Sequence, residues 1–125
     1  MRFLSTRVHG IIDYLTGILL IAAPWLFGFA DGTAAQWVPV IVGLTILVMS
    51  LITDYELSAA RIIPMGVHLG VDGLGGAFLA ISPWLFGFAD RTYWPHLIIG
   101  IAEIGVSLVT RTRPDAATGT TAGRY

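Results

Sequence analysis

APWLFGFAD at Ala23–Asp31 returns as SPWLFGFAD at Ser82–Asp90. Working outward from the two copies, His9–Thr33 aligns with His68–Thr92 without a gap. After a two-residue deletion in the second turn, Trp37–Thr53 aligns with Trp94–Thr110. The chain is a tandem duplication, and a fixed internal period outranks other sequence signals when a fold is read.

Each copy contains two apolar stretches. The first copy has Ile11–Phe29, where only Asp13 is charged, and the uncharged Ala34–Ile52. The second has Ile62–Phe88, holding His68 and Asp72, and Trp94–Val109, holding His96 and Glu103. A helix needs about 20 apolar residues to cross a hydrocarbon layer about 30 Å thick. Backbone in lipid must satisfy its own hydrogen bonds, which selects helices. Runs such as Ile18–Ala23 and Val40–Val48 lack the alternation a membrane strand requires. The third stretch is long and is expected to tilt or to begin in the interface.

The predicted fold is all-α membrane: four transmembrane helices forming two tandem helical hairpins. The divisions are an N-terminal segment 1–8, a first repeat 9–53, a loop 54–61, a second repeat 62–110 and a polar, aperiodic tail 111–125 expected to be disordered. Two crossings per repeat return the chain to its starting side. The repeats therefore share one orientation about an axis along the membrane normal. The arginine-bearing start resembles a signal peptide, but the third stretch nearly copies the first and cannot be a signal, so the first is read as a retained helix.

Composition agrees. Of 125 residues 55% are hydrophobic and 12% charged, against about 25% charged in soluble domains, which excludes a water-soluble globular monomer. With no cysteine, disulfides and thiolate chemistry are excluded. A net charge of −1 provides no footprint for nucleic acid. Arg2, Arg7, Arg61, Arg111, Arg113 and Arg124 fall on one side of a four-pass arrangement and Arg91 on the other. The positive-inside rule then places both termini and the middle loop in the cytoplasm of a cell that carries the chain in its inner membrane. Trp25, Trp37, Trp84 and Trp94 fall at the opposite interface.

The motif resembles the SPW-repeat integral membrane proteins of bacteria and archaea, with Ser82, Pro83 and Trp84 giving the signature and Ala23 replacing serine in the first copy. The resemblance spans about His9 to Thr110. It implies a fold and a membrane location and supplies no chemistry; the serine hydroxyl is not required for the shared fold. Within the motif, Pro24 and Pro83 interrupt helix hydrogen bonding, and Trp25 and Trp84 anchor at the interface. Gly28 and Gly87 let the chain leave the helix, and Asp31 or Asp90 is expected to cap the next element.

The duplication also compares itself. His9, Asp13, Gly17, Leu20 and Pro24 match His68, Asp72, Gly76, Leu79 and Pro83. Their steps of three and four line one helix face. The second helices agree on Gly43, Ser50 and Thr53, matching Gly100, Ser107 and Thr110. Glu103 lies on that stripe, where the first repeat has Ile46. These faces are expected to be buried in protein.

Acids within a membrane are costly and mark functional sites by default. His9 and Asp13, like His68 and Asp72, are spaced so that imidazole can bond carboxylate. Two uses compete for His9, Asp13, His68, Asp72 and Glu103: a proton or cation pathway, or neutralising pairs that join helices. Convergence of the four at the repeat axis would form a zinc-type donor set, but nothing in the sequence brings them together, so no metal or cofactor is assigned. His96, beside Trp94, is expected at the outer surface without a role, and Asp54 and Glu56 as solvated loop charges. The leading reading is a non-enzymatic structural or accessory membrane protein in a lipid bilayer. A transporter or channel is the alternative, and an enzyme acting on a lipid or quinone a remote one. A small-residue stripe on the third helix (Gly66, Gly70, Gly73, Ala77, Ala80) is a candidate contact for a homo-oligomer.

Overall fold

The structure, a computed structural model, describes residues 2–113; the expectation of a disordered tail falls mostly outside them. Four helices follow in order: α1 (Thr6–Leu26), α2 (Ala34–Ile52), α3 (Met65–Leu85) and α4 (Trp94–Val109). α1, α2 and α3 are long and apolar enough to cross a membrane, and α4 is a shorter apolar helix of 16 residues. At 1.5 Å per residue α4 is about 24 Å long. Large apolar side chains such as Leu15, Ile18, Leu74 and Ile98 cover the outside of the bundle, as expected where lipid rather than water is the solvent. The chain is an all-α membrane protein.

Each hairpin closes on glycine. Gly17 meets Gly43, and a Cβ on Gly43 would lie 2.7 Å from the Gly17 carbonyl oxygen. Gly76 meets Gly100 in the same way, where the added Cβ would lie 2.5 Å from the Gly76 oxygen. Lipid does not drive helices together by apolar burial, so close backbone approach supplies the packing. These glycines are the ones on which the two repeats agree.

The repeats are stitched crosswise. Leu4, just before α1, pairs with Thr110 at the end of α4, and Ile63, just before α3, pairs with Thr53 at the end of α2. Arg2 reaches the last turn of α4, donating to the carbonyls of Ser107 at 2.9 Å and Thr110 at 2.7 Å. Such carbonyls lack helical partners. The entrance of each repeat is thus bound to the exit of the other, and both ends of the described chain lie at one end of the bundle.

Several expectations change. α1 begins at Thr6, ahead of the apolar stretch that starts at Ile11, because Ser5 caps it by accepting from the Val8 amide. The third stretch is long because Ile62 and Ile63 are extended, donating to the Ile52 carbonyl, and α3 itself matches α1 in length. The small-residue stripe divides: Gly73 approaches Ser107 and Ala80 approaches Gly100, both on α4, whereas Gly66 and Gly70 face open space.

At the far end, Gly28 and Gly87 adopt φ of 75° and 73°. The amides of Phe29 and Phe88 bond back to the carbonyls of Pro24 and Pro83 at 2.8 and 2.7 Å. This glycine-terminated helix stop accounts for the Phe-Gly-Phe inside the motif. Ser82 donates to the Leu79 carbonyl of its own helix, which is why Ala23 can stand in the first copy. Asp31 does not cap α2 directly. Thr33 is the cap, and Asp31 accepts from the Thr33 amide and hydroxyl. Their hydroxyl contact, followed by the amide, holds the exposed Asp31 carboxyl below its usual range, with further help from Arg91.

Candidate functional site

α1 and α3 carry the same face, and the crossed stitching turns these faces toward one another. His9, Asp13, His68 and Asp72 meet there as a quartet, all buried. Their atoms form a closed alternating ring. His9 Nε2 lies 2.9 Å from Asp13 Oδ2 and 2.8 Å from Asp72 Oδ2. His68 Nε2 lies 2.7 Å from Asp13 Oδ2 and 3.0 Å from Asp72 Oδ2. The intrahelical contacts expected from spacing are present, and the cross-repeat contacts are the shorter ones.

Two threonines orient the imidazoles. Thr53 donates its hydroxyl proton to the Met49 carbonyl at 2.5 Å, and Thr110 donates to Val106 at 2.6 Å. Each oxygen is then free to accept, and receives Nδ1–H of His68 at 2.7 Å and of His9 at 2.8 Å. This places a proton on Nδ1 and aims Nε2 into the ring. Thr53 and Thr110 were visible in sequence as positions of agreement; their task was not, because each serves a histidine in the other repeat.

The ring is closed on two sides. Toward the motif end lie Leu20 and Leu79, packed with Val38, Val42 and Ile46 in one apolar cluster. Toward the other end lies the loop after α2. Tyr55 is fully buried, packed with Met65 and Leu69, and fills the space left by Gly10. Burial raises its phenol pKa above the usual value. Glu56 accepts from Thr6, and Tyr14 donates to the Leu57 carbonyl. The loop is therefore a folded cover and Glu56 is not a free solvated charge; Asp54 pairs loosely with Arg61 at 3.5 Å.

Glu103 is buried on α4, with its Cβ side against Gly76, one turn beyond Asp72. It does not join the ring, and its Oε2 has no hydrogen-bond partner among the described residues. Asp13 Oδ1 and Asp72 Oδ1 are likewise buried without partners among them. His96 is not at the surface. It is buried at the motif end between Phe29 and Phe88, at ring separations of 5.0 and 4.9 Å, and donates to the Ala35 carbonyl. One phenylalanine from each copy of the motif converges on it, a meeting that the sequence beside His96 does not signal. Pro24, Trp25, Gly28, Pro83, Trp84 and Gly87 lie far along the helices from the quartet and serve the helix stops and the interface; all four tryptophans are about half exposed.

No curated protein and no solved structure matches the chain. The SPW repeat domain matches residues 7–110, a span that contains the whole quartet and both threonines, and the chain belongs to that family.

Proposed function

We propose that this is a non-enzymatic structural or accessory protein of the cell membrane, in which the quartet locks two hairpins into one rigid unit. The observation that carries this reading is the crossing of the pairs: His9 with Asp72 and His68 with Asp13. The apolar packing of Leu20 and Leu79 beside the ring fits a lock better than a wet path. Removing one member leaves the others buried without compensation, which costs about 3–5 kcal/mol. The test is Asp13→Asn in detergent and in liposomes. A lock predicts a large loss of thermal stability with no change in any ion flux. A stable variant that alters flux contradicts it.

A second reading, a small proton or cation conductor, draws support from Glu103, a buried carboxyl with an unpartnered oxygen near the ring. It predicts a flux in liposomes that Glu103→Gln and Asp72→Asn abolish. A silent parent protein removes it. The arginine distribution supports an inner-membrane orientation with both termini cytoplasmic. We further propose a second copy of this chain as partner on α3, at the groove of about 320 Å³ beside Gly66, Gly70 and Leu74. If Gly70→Leu leaves the mass of a detergent-resolved oligomer unchanged, that surface is wrong.

A further inference from the structure

We propose that the quartet binds one divalent first-row transition-metal ion, of the zinc or copper class, through His9 Nε2, His68 Nε2, Asp13 and Asp72. The donor chemistry selects this class. Two imidazoles and two carboxylates suit zinc, copper or nickel, whereas calcium and magnesium prefer oxygen alone.

The geometry is close to that of a metal site. Ring edges run from 2.7 to 3.0 Å. One donor atom from each of the four residues lies within 4.8 Å of the others, close enough for a single ion to be shared among them. At a bond length of about 2.0 Å a zinc tetrahedron has edges of about 3.3 Å, so the four contacts would each open by a few tenths of an ångström on binding. The threonines complete the argument. Metal-bound histidines characteristically donate their other N–H to a fixed acceptor, which sets the tautomer and aims the ligating nitrogen. Thr53 and Thr110 do this for both rings.

Charge balance points the same way. Two buried carboxylates need two positive charges nearby. One divalent ion with both rings neutral supplies them. Binding of such an ion would therefore leave no net charge at the site in the bilayer. Asp13 Oδ1 and Asp72 Oδ1, buried and unpartnered, are available as further donors. Buried polar atoms of this kind call for a water or an ion.

The inference shares its residues with the lock but does not depend on it. The experiment uses the full chain, purified in detergent, stripped with chelator and titrated with Zn2+, Co2+, Cu2+, Mg2+ or Ca2+ alone. Expected are saturation at one transition metal per chain, ligand-field bands from Co2+ or Cu2+, and a higher melting temperature with the metal that binds. Asp72→Asn should lose the bound ion. Thr110→Val, which keeps all four donors, should weaken affinity by about 10–100-fold. Glu103→Gln should bind as the parent does. Lack of saturable uptake by the folded parent would overturn the proposal, as would equal uptake by Asp72→Asn or preference for Ca2+. A parent that binds no metal yet loses stability in Asp13→Asn overturns this proposal and leaves the lock standing.

Discussion

The two ends of the bundle hold the same pseudo-twofold relation by opposite means. At the quartet end, α1 and α3 are joined by charge and hydrogen bonds between buried side chains. At the motif end, the repeats meet through aromatic packing, with His96 between Phe29 and Phe88, and through the exposed pair of Arg91 and Asp31 at 2.8 Å. The quartet end keeps the duplication: every ring member and both threonines have a counterpart. The motif end has diverged, since His96 stands where the first repeat has Pro39, and Tyr93 starts α4 without a side-chain cap while Thr33 caps α2. A buried polar contact tolerates little change, because any orphaned partner loses its full solvation; an apolar or exposed contact tolerates more.

Mutations should separate the ends in that order. Asp72→Asn leaves His9 and His68 short of a counter-charge and should destabilise by about 3–5 kcal/mol, read by reversible unfolding in detergent. If the loss is under about 1 kcal/mol, the ring is not a lock. Gly100→Val presses a side chain into the α3 backbone and should cost at least about 1–3 kcal/mol by the same measurement. Thr110→Val leaves the His9 Nδ1–H unpaired, at about 1–3 kcal/mol. Glu103→Ile copies Ile46 of the first repeat. It should be neutral or stabilising, since it removes a buried carboxyl that lacks a full set of partners; a destabilised variant would mean that Glu103 carries a contact of its own.

The smallest effect belongs to the motif end and depends on pH. Thr33 holds Asp31 below its usual carboxylate range. The Asp31 contribution is present above the ordinary carboxylate pKa and is lost as pH falls through the lower folded value. Asp31→Asn should therefore match the parent at low pH and fall slightly below it near neutrality. The difference is expected to be small because the pair is exposed and screened. A difference that grows toward acid pH reverses the sign and contradicts the arrangement.

Much of the quartet end was legible in the sequence because duplication marks it. His9, Asp13, His68 and Asp72 share a face through local spacing, and helix spans follow from apolar length. The cross-pairing was not legible. It joins residues separated by 63 and 55 positions, and depends on how deeply the glycine contacts seat each hairpin. Tyr55 and Glu56 sit in a polar stretch that reads as a solvated loop. Tyr55 is buried because it fills the hole at Gly10, and the half-buried Glu56 is held by Thr6; local pattern discloses neither. The interfacial neighbour Trp94 gives the depth of His96 but not its burial, because the approach of Phe29 and Phe88 is a tertiary fact.

A double-mutant cycle on His9→Gln and Asp72→Asn, measured by reversible unfolding in detergent with chelator present, tests the crossed lock most directly. The arrangement predicts a coupling of about 0.5–3 kcal/mol between these two residues of different repeats. Strict additivity of the two changes would contradict it.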